Sequence, residues 1–412
     1  MESLIKSIKG REILNGRGRP TVEAELTTSD GYTVTASVPS GSSVGKYEAH
    51  ELYDGGKRFA GRGTRKAAAN ISGEIANSLM GIDVREQQLI DDIMCELDGT
   101  PNKSRLGGNA ILAVSVAAAK AGAKASGLPL FRYLGGNAAK KLPDIASTVI
   151  SGGAFSPSGL EFEDYLMILE GFPSFADQLE ALVVMRLYME KKLSEKYGFY
   201  PEDTGAYAPK LAGGSEEAFG LILESARAVG CEKLVKIGID VAANEFYNEN
   251  NRTYILNGKH YDADTLRHYY IELCHDYPLI YIEDGFEQDS FNDFAKLKAS
   301  VDGLMVVGDD LFATNLNRIK MGVTADAANT LLLKINQIGT VTESFDAVVY
   351  AKEHQYEITT SLRSGETIDD FAADMAVAVG SRSMKLGSPF RAERNSKYNR
   401  LVRIEEELKH RA

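Results

Sequence analysis

The 412-residue chain is 44% apolar and 25% charged, the composition of a soluble globular protein, and its length predicts two domains, one of them a barrel. Its 46 basic and 58 acidic side chains leave a net charge of −12, which argues against general affinity for nucleic acid or an anionic membrane. Cys95, Cys231 and Cys274 lack metal-ligand spacing and read as reduced thiols; with no apolar stretch at the start and no run near about 18 apolar residues, the chain reads as cytoplasmic.

The first forty residues predict β-structure. Residues 21–26 (TVEAEL) and 32–38 (YTVTASV) alternate apolar and polar positions and are separated by a turn at Ser29, Asp30 and Gly31. The small, hydroxyl-rich stretch from Pro39 to Gly45 reads as a loop with the length and composition of a mobile lid. From about residue 63 to 134 the pattern turns helical. Ile71, Ile75 and Leu79 recur at four-residue spacing, as do Leu89, Ile93 and Leu97, and Asp98-Gly99 closes that segment. Asn109 to Ala125 reads as an Ala-rich helix suited to close packing. Residues 1–134 thus form a predicted α+β unit, and Gly135-Gly136-Asn137 mark the boundary with a second unit, 135–412.

The second unit opens with two adjacent predicted strands, followed by helices at about 174–195 and 215–229 and by regular strand–helix alternation from Lys233. Short apolar runs there end in single charged residues: Asp240, Glu283, Asp309, Lys334, Arg363 (beside Ser364) and Lys385. The steps between these charges are 43, 26, 25, 29 and 22 residues, most of them matching one strand, one helix and two loops. A β/α barrel brings such strand ends to one mouth. Three carboxylates, two lysines and an arginine would then share one pocket, a costly cluster unless a cation offsets the acids. The tail carries Arg391, Arg394, Lys397, Arg400 and Arg403 at spacings of three or four, which reads as a solvated helical face pairing with the chain's excess acid.

These residues resemble a known family. GREILNGRGRPTVEAEL, PSGSSVGKYEAHEL, LDGTPNKSRLGGNAIL, IGIDVAANEFY, IEDGFEQD, VGDDLFATN, LLLKINQIGTVTES, SLRSGET and KYNRLVRIEEEL occur in the order found in enolase, the phosphopyruvate hydratase of glycolysis. The resemblance implies an α/β fold: an N-terminal α+β cap followed by a modified TIM barrel of ββαα(βα)6 type. It also implies a cytoplasmic homodimer or higher homo-oligomer acting on a small phosphorylated carboxylate. By the same resemblance, Asp240, Glu283 and Asp309 are ligands of the tighter of two Mg²⁺ ions, and Ser43 helps to hold the second. Lys334 is implied as the general base that removes the proton α to the carboxylate, with the metals stabilising the aci-carboxylate formed. Arg363 and Ser364 match the phosphate-binding pair, and Lys385 a second lysine near the carboxylate and the base.

Elsewhere the chain departs from the family. GDEGGFAP reads EDTGAYAP, so Thr204 stands on the glutamate implied as general acid. Phe155 and Leu362 stand on two histidines, and none of His50, His260, His268, His275, His354 and His410 replaces them. The QEF motif reads Glu163-Asp164-Tyr165, so the partner acid is one methylene shorter. Groups that abstract the proton and bind metal, carboxylate and phosphate are present, whereas those that protonate a leaving hydroxyl are altered. The first expectation is therefore a diverged enolase that enolises a 2-phosphoryloxy acid whose C3 end is less polar than that of 2-phosphoglycerate. One alternative is ordinary dehydration of 2-phosphoglycerate to phosphoenolpyruvate with a relocated acid, either Asp203 or Glu163 paired with Asp164. The other is a non-catalytic metal- and ligand-binding homologue.

Overall fold

The computed structural model describes residues 2–41, 45–154, 156–197, 201–202, 204–256 and 258–410, so Ser43, Phe155 and Asp203 lie outside the described residues. The chain begins with an antiparallel sheet of β1 (Ile5–Leu14), β2 (Pro20–Thr28) and β3 (Thr33–Ser37). Alternation in β2 turns Val22, Ala24 and Leu26 inward, where the helix Gly108–Ala125 packs on the sheet. That helix is buried on nearly every side, which its alanines and glycines permit. The helix Gln87–Asp98 corrects one sequence expectation. Its buried face carries Ile90 and Met94, Ile93 and Leu97 are only partly buried, and Leu89 is exposed.

Eight strands then close a barrel: β4 (Asp144–Ser151), β5 (Asp164–Leu169), β6 (Val235–Asp240), β10 (Leu279–Glu283), β11 (Met305–Gly308), β12 (Thr330–Leu333), β13 (Glu357–Ser361) and β14 (Ser383–Lys385). A small outlying sheet, β7 (Tyr247–Asn248), β8 (Thr253–Leu256) and β9 (Lys259–Tyr261), intervenes in the chain between β6 and β10. β5 runs antiparallel to both neighbours while the other adjacent pairs are parallel. Helices Phe175–Lys196 and Gly214–Val229 follow β5, and strand–helix alternation runs from β6 to the C-terminal helix Ala392–Lys409. This is the ββαα(βα)6 order. Ala146, Leu166, Ile168, Tyr281, Met305, Val307 and Leu332 fill the barrel interior, while the opposite strand faces join the larger core under the helices. With both faces buried, these strands read as continuous apolar runs ending where polarity returns.

The C-terminal helix is not the solvated face its charges suggested. Arg394 and Lys397 are buried, Lys397 pairs with Glu366 at 2.9 Å, and Arg400 pairs with Asp374 and Glu407. Cys95, Cys231 and Cys274 are free thiols, and among the described residues no single helix is long and apolar enough to cross a membrane.

On the cap side, Glu12 of β1 accepts hydrogen bonds from the Arg58 guanidinium and the Thr64 N–H, which ties the sheet to the following segment. Arg58 above all holds this carboxyl down at about 2, against an ordinary value of 4.5. A depressed carboxylate stabilises the fold above its unfolded pKa and loses that contribution as pH falls through its folded one. Stability of the parent chain minus that of Glu12→Gln should therefore shrink as pH drops from 4.5 toward about 2. Urea unfolding across that range measures it, and a constant difference would contradict the assignment.

Candidate active site

The barrel's register assembles the site. Asp240 ends β6 and Glu283 ends β10, and the two residues are register partners across that parallel pair. Asp164 is the partner of Asp240 on the other side. Because β5 is reversed, its first residue rather than its last reaches the mouth. Lys385, at the end of β14, projects its amine into this row. Its Nζ lies 2.6 Å from Asp240, 3.0 Å from Glu283 and 3.2 Å from Asp164. Burial works to lower the Lys385 pKa, but Asp240, Glu283 and Asp164 outweigh it and hold the amine charged well above its ordinary range. Glu283 is fully buried and also accepts from Tyr281 Oη at 2.6 Å; burial and Asp240 push its carboxyl well up.

A second ion pair lies beside the first. Lys334, just after β12, pairs with Asp309, just after β11, and Gln337 Nε2 donates to the other Asp309 oxygen at 2.7 Å. Burial works to lower Lys334, but Asp309 prevails and its pKa is raised; burial works to raise Asp309, but Lys334 prevails and its pKa is lowered. The loop carrying Asp309 is fixed from below by buried Asp284, whose carboxylate accepts the Asp309 and Asp310 N–H groups at 3.0 and 2.7 Å. Carboxylate oxygens of Asp284, Asp309 and Asp310 lie within 4.8 Å of one another. That grouping shares only Asp309 with the trio expected to bind metal.

Arg363 follows β13 and is buried, with both terminal nitrogens donating to Glu48 at 2.7 and 3.3 Å. Burial opposes its charge, but Glu48 raises the pKa further. Ser364 accepts from Arg17 at 3.3 Å. Glu163, Asp164, Asp240, Asp309, Lys334, Arg363, Ser364 and Lys385 line one cleft, and Glu283 stands behind Lys385. Thr204 and Leu362 line it too, as do Glu48, Asp284, Asp310 and Arg394, which sequence reasoning did not single out as site residues. Asp284 and Asp310 each adjoin a residue it did select, so the Glu283-Asp284 and Asp309-Asp310 doublets were the available signal. Loss of hydration, reinforced by Asp240 and Asp164, holds the Glu163 carboxyl well above the usual carboxylate range.

Residues 5–134 match the family described as "Enolase, N-terminal domain", and residues 139–412 match "Enolase, C-terminal TIM barrel domain". The chain belongs to the enolase family. It is 44% identical over 410 residues to a Methanopyrus kandleri protein named Enolase, an alignment covering 98% of this chain and 96% of that one. Proteins named Enolase from Methanococcus vannielii and Methanothrix thermoacetophila are each 42% identical over 407 residues, covering 98% of this chain and 95% and 96% of theirs. Membership makes this an enzyme of the enolase superfamily, of the carbon–oxygen lyase class. The likeness supports an enolase-type function and gives no support to the diverged activity that the altered residues first suggested.

Removing the Lys385 amine would leave Asp164, Asp240 and Glu283 facing one another without a counter-charge. Breaking a buried ion pair from one side typically costs about 3–5 kcal/mol. Lys385→Met in metal-free buffer is expected to lose stability of that order in urea unfolding, and an unchanged midpoint would show that the cluster is not held by this amine.

Proposed function

We propose that this enzyme removes the proton α to the carboxylate of a 2-phosphoryloxy acid and expels the C3 hydroxyl, converting 2-phosphoglycerate to phosphoenolpyruvate and water. The single observation that carries the reading is the shared cleft: an amine (Lys334), a phosphate-type donor pair (Arg363 and Ser364) and a buried carboxylate row lie together. Hard carboxylate oxygens on Asp240, Glu283 and Asp309, paired in this structure with lysine amines, fit Mg²⁺. Bound there, Mg²⁺ would supply positive charge against the doubly charged aci-carboxylate.

The chain's own residues account for the proton transfers. Lys334 is held protonated by Asp309, and the nearby charges of Arg363 and Lys385 act in the opposite direction. Lys334 is placed to accept the α-proton, and a cation drawing on Asp309 would weaken the hold that keeps its amine protonated. Arg363 and Ser364 orient the phosphoryl group, with Glu48 setting the guanidinium plane. Glu163, whose carboxyl burial, Asp240 and Asp164 push well up, delivers a proton to the departing hydroxyl as the C3–O bond breaks.

A second reading, enolisation without loss of hydroxide, is favoured by Thr204 and Leu362 on the cleft wall. The two are separated by following both α-proton exchange in D₂O and phosphoenolpyruvate absorbance. Lys334→Ala should abolish both signals. Glu163→Gln should leave exchange intact while slowing phosphoenolpyruvate formation by roughly 10²–10⁴-fold. Exchange without phosphoenolpyruvate in the parent enzyme would select the second reading, and neither signal would reject both. Chelation of divalent ions should likewise remove exchange and turnover, with Mg²⁺ restoring them; activity persisting after chelation would exclude the metal assignment.

A further inference from the structure

The turn that follows Asp309 is strained. The N–H groups of Phe312 and Ala313 both donate back to the Asp309 carbonyl, at 3.1 and 2.6 Å. The chain then leaves the turn through Ala313 and Thr314, with φ of +46° and +52°. A β-branched residue in the left-handed region is a genuine outlier, and it persists only where its surroundings over-determine it. Glycine would adopt this backbone without the cost, whereas threonine adds a hydroxyl.

That hydroxyl ties together three residues of the site. Thr314 is fully buried. Its Oγ1 accepts the Lys334 N–H at 3.1 Å and donates to Gln337 Oε1 at 3.0 Å. The Lys334 and Leu332 carbonyls stand farther off, at 3.3 and 3.5 Å. A hydroxyl has one proton to give, so the bond to Gln337, the shortest of the three, is the one it makes. With Oε1 engaged, the buried Gln337 amide presents Nε2 to Asp309, whose Oδ1 accepts at 2.7 Å. The other oxygen, Oδ2, pairs with Lys334 Nζ. The contacts therefore close a ring, running from the Lys334 backbone through Thr314, Gln337 and Asp309 to the Lys334 amine.

We propose that Thr314 is a positioning residue. Through Gln337 it commits one Asp309 oxygen, and leaves the oxygen facing Lys334 as the one that changes partner, from the amine to a divalent ion. The inference rests on the reading of the cleft as an enolising site with Lys334 as its base. It assigns Thr314 and Gln337 no proton transfer and no substrate contact. Their part is to hold base and carboxylate in one fixed relation, and misplacement of a reacting group by about 1 Å can cost roughly 10²-fold.

The test compares Thr314→Val, which keeps the shape and removes the hydroxyl, with Thr314→Ser, which keeps the hydroxyl and removes the methyl. Loss of a contact that orients a metal-ligating carboxylate typically costs roughly tenfold to hundredfold in metal affinity or activity. Thr314→Val should lower kcat for α-proton exchange on 2-phosphoglycerate, at saturating Mg²⁺, by that factor. KM should move little, since Arg363, Ser364 and Lys385 are untouched. Calorimetry without substrate should show Mg²⁺ binding weakened in Thr314→Val and close to parental in Thr314→Ser. A merely structural role predicts the reverse order, with valine tolerated and serine impaired. If Thr314→Val does not fold, Gln337→Met removes the donor to Asp309 and should show the same two losses. Parental kcat or parental Mg²⁺ affinity in the variant that folds, or a Thr314→Ser enzyme as slow as Thr314→Val, overturns the inference while leaving the enolising site intact. Absence of exchange in the parent enzyme overturns both.

Discussion

The Lys385 amine among Asp164, Asp240 and Glu283 is the constraint on which the mouth of the barrel depends. Charges this deeply buried persist only when they are paired and hydrogen-bonded. Here the pairing joins strands that no local sequence relation brings together: β14 supplies the cation, and β5, β6 and β10 supply the acids. Only closure of the barrel sets β14 across from β6 and β10. Reversal of β5 then adds Asp164 to the row. The charge cluster therefore depends on the architecture that assembles it.

Around this cluster each reactive group is held by a residue with no direct part in the chemistry. Asp284 takes backbone N–H groups from the loop that carries Asp309. Gln337 orients Asp309, and Glu48 fixes Arg363 from the N-terminal part of the chain. The Arg363–Glu48 pair crosses from cap to barrel, so the placing of Arg363 depends on docking of the two parts as well as on its own strand. Both lysines stay protonated through carboxylate neighbours. A divalent cation drawing on the same carboxylates would loosen that hold. Ammonium groups thus supply the positive charge among these carboxylates in this structure.

The extent to which this was legible in the chain follows from burial. Barrel strands hidden on both faces leave their first polar residue after an apolar run as a clear signal, which is why Asp240, Glu283, Asp309, Lys334 and Lys385 stood out. The stripe read through Leu89 misled because Ile90 and Met94 offer an equally good apolar face one position on, and only packing chooses between them. The basic C-terminal helix misled for a different reason. Spacing of three or four cannot distinguish cations facing water from cations such as Arg394 and Lys397 that reach buried acceptors in the barrel. Glu48 was invisible for a similar reason, since its partner lies 315 residues away.

The altered wall of the cleft is best understood through its charges. On the resemblance, Thr204 stands where the family carries an acid, which leaves this part of the cleft without that proton donor. Among the neighbours of Arg394, Glu366 and Glu393 favour its charge, yet neither accepts from Nε. Leu362 is buried on the same cleft and offers nothing polar in return.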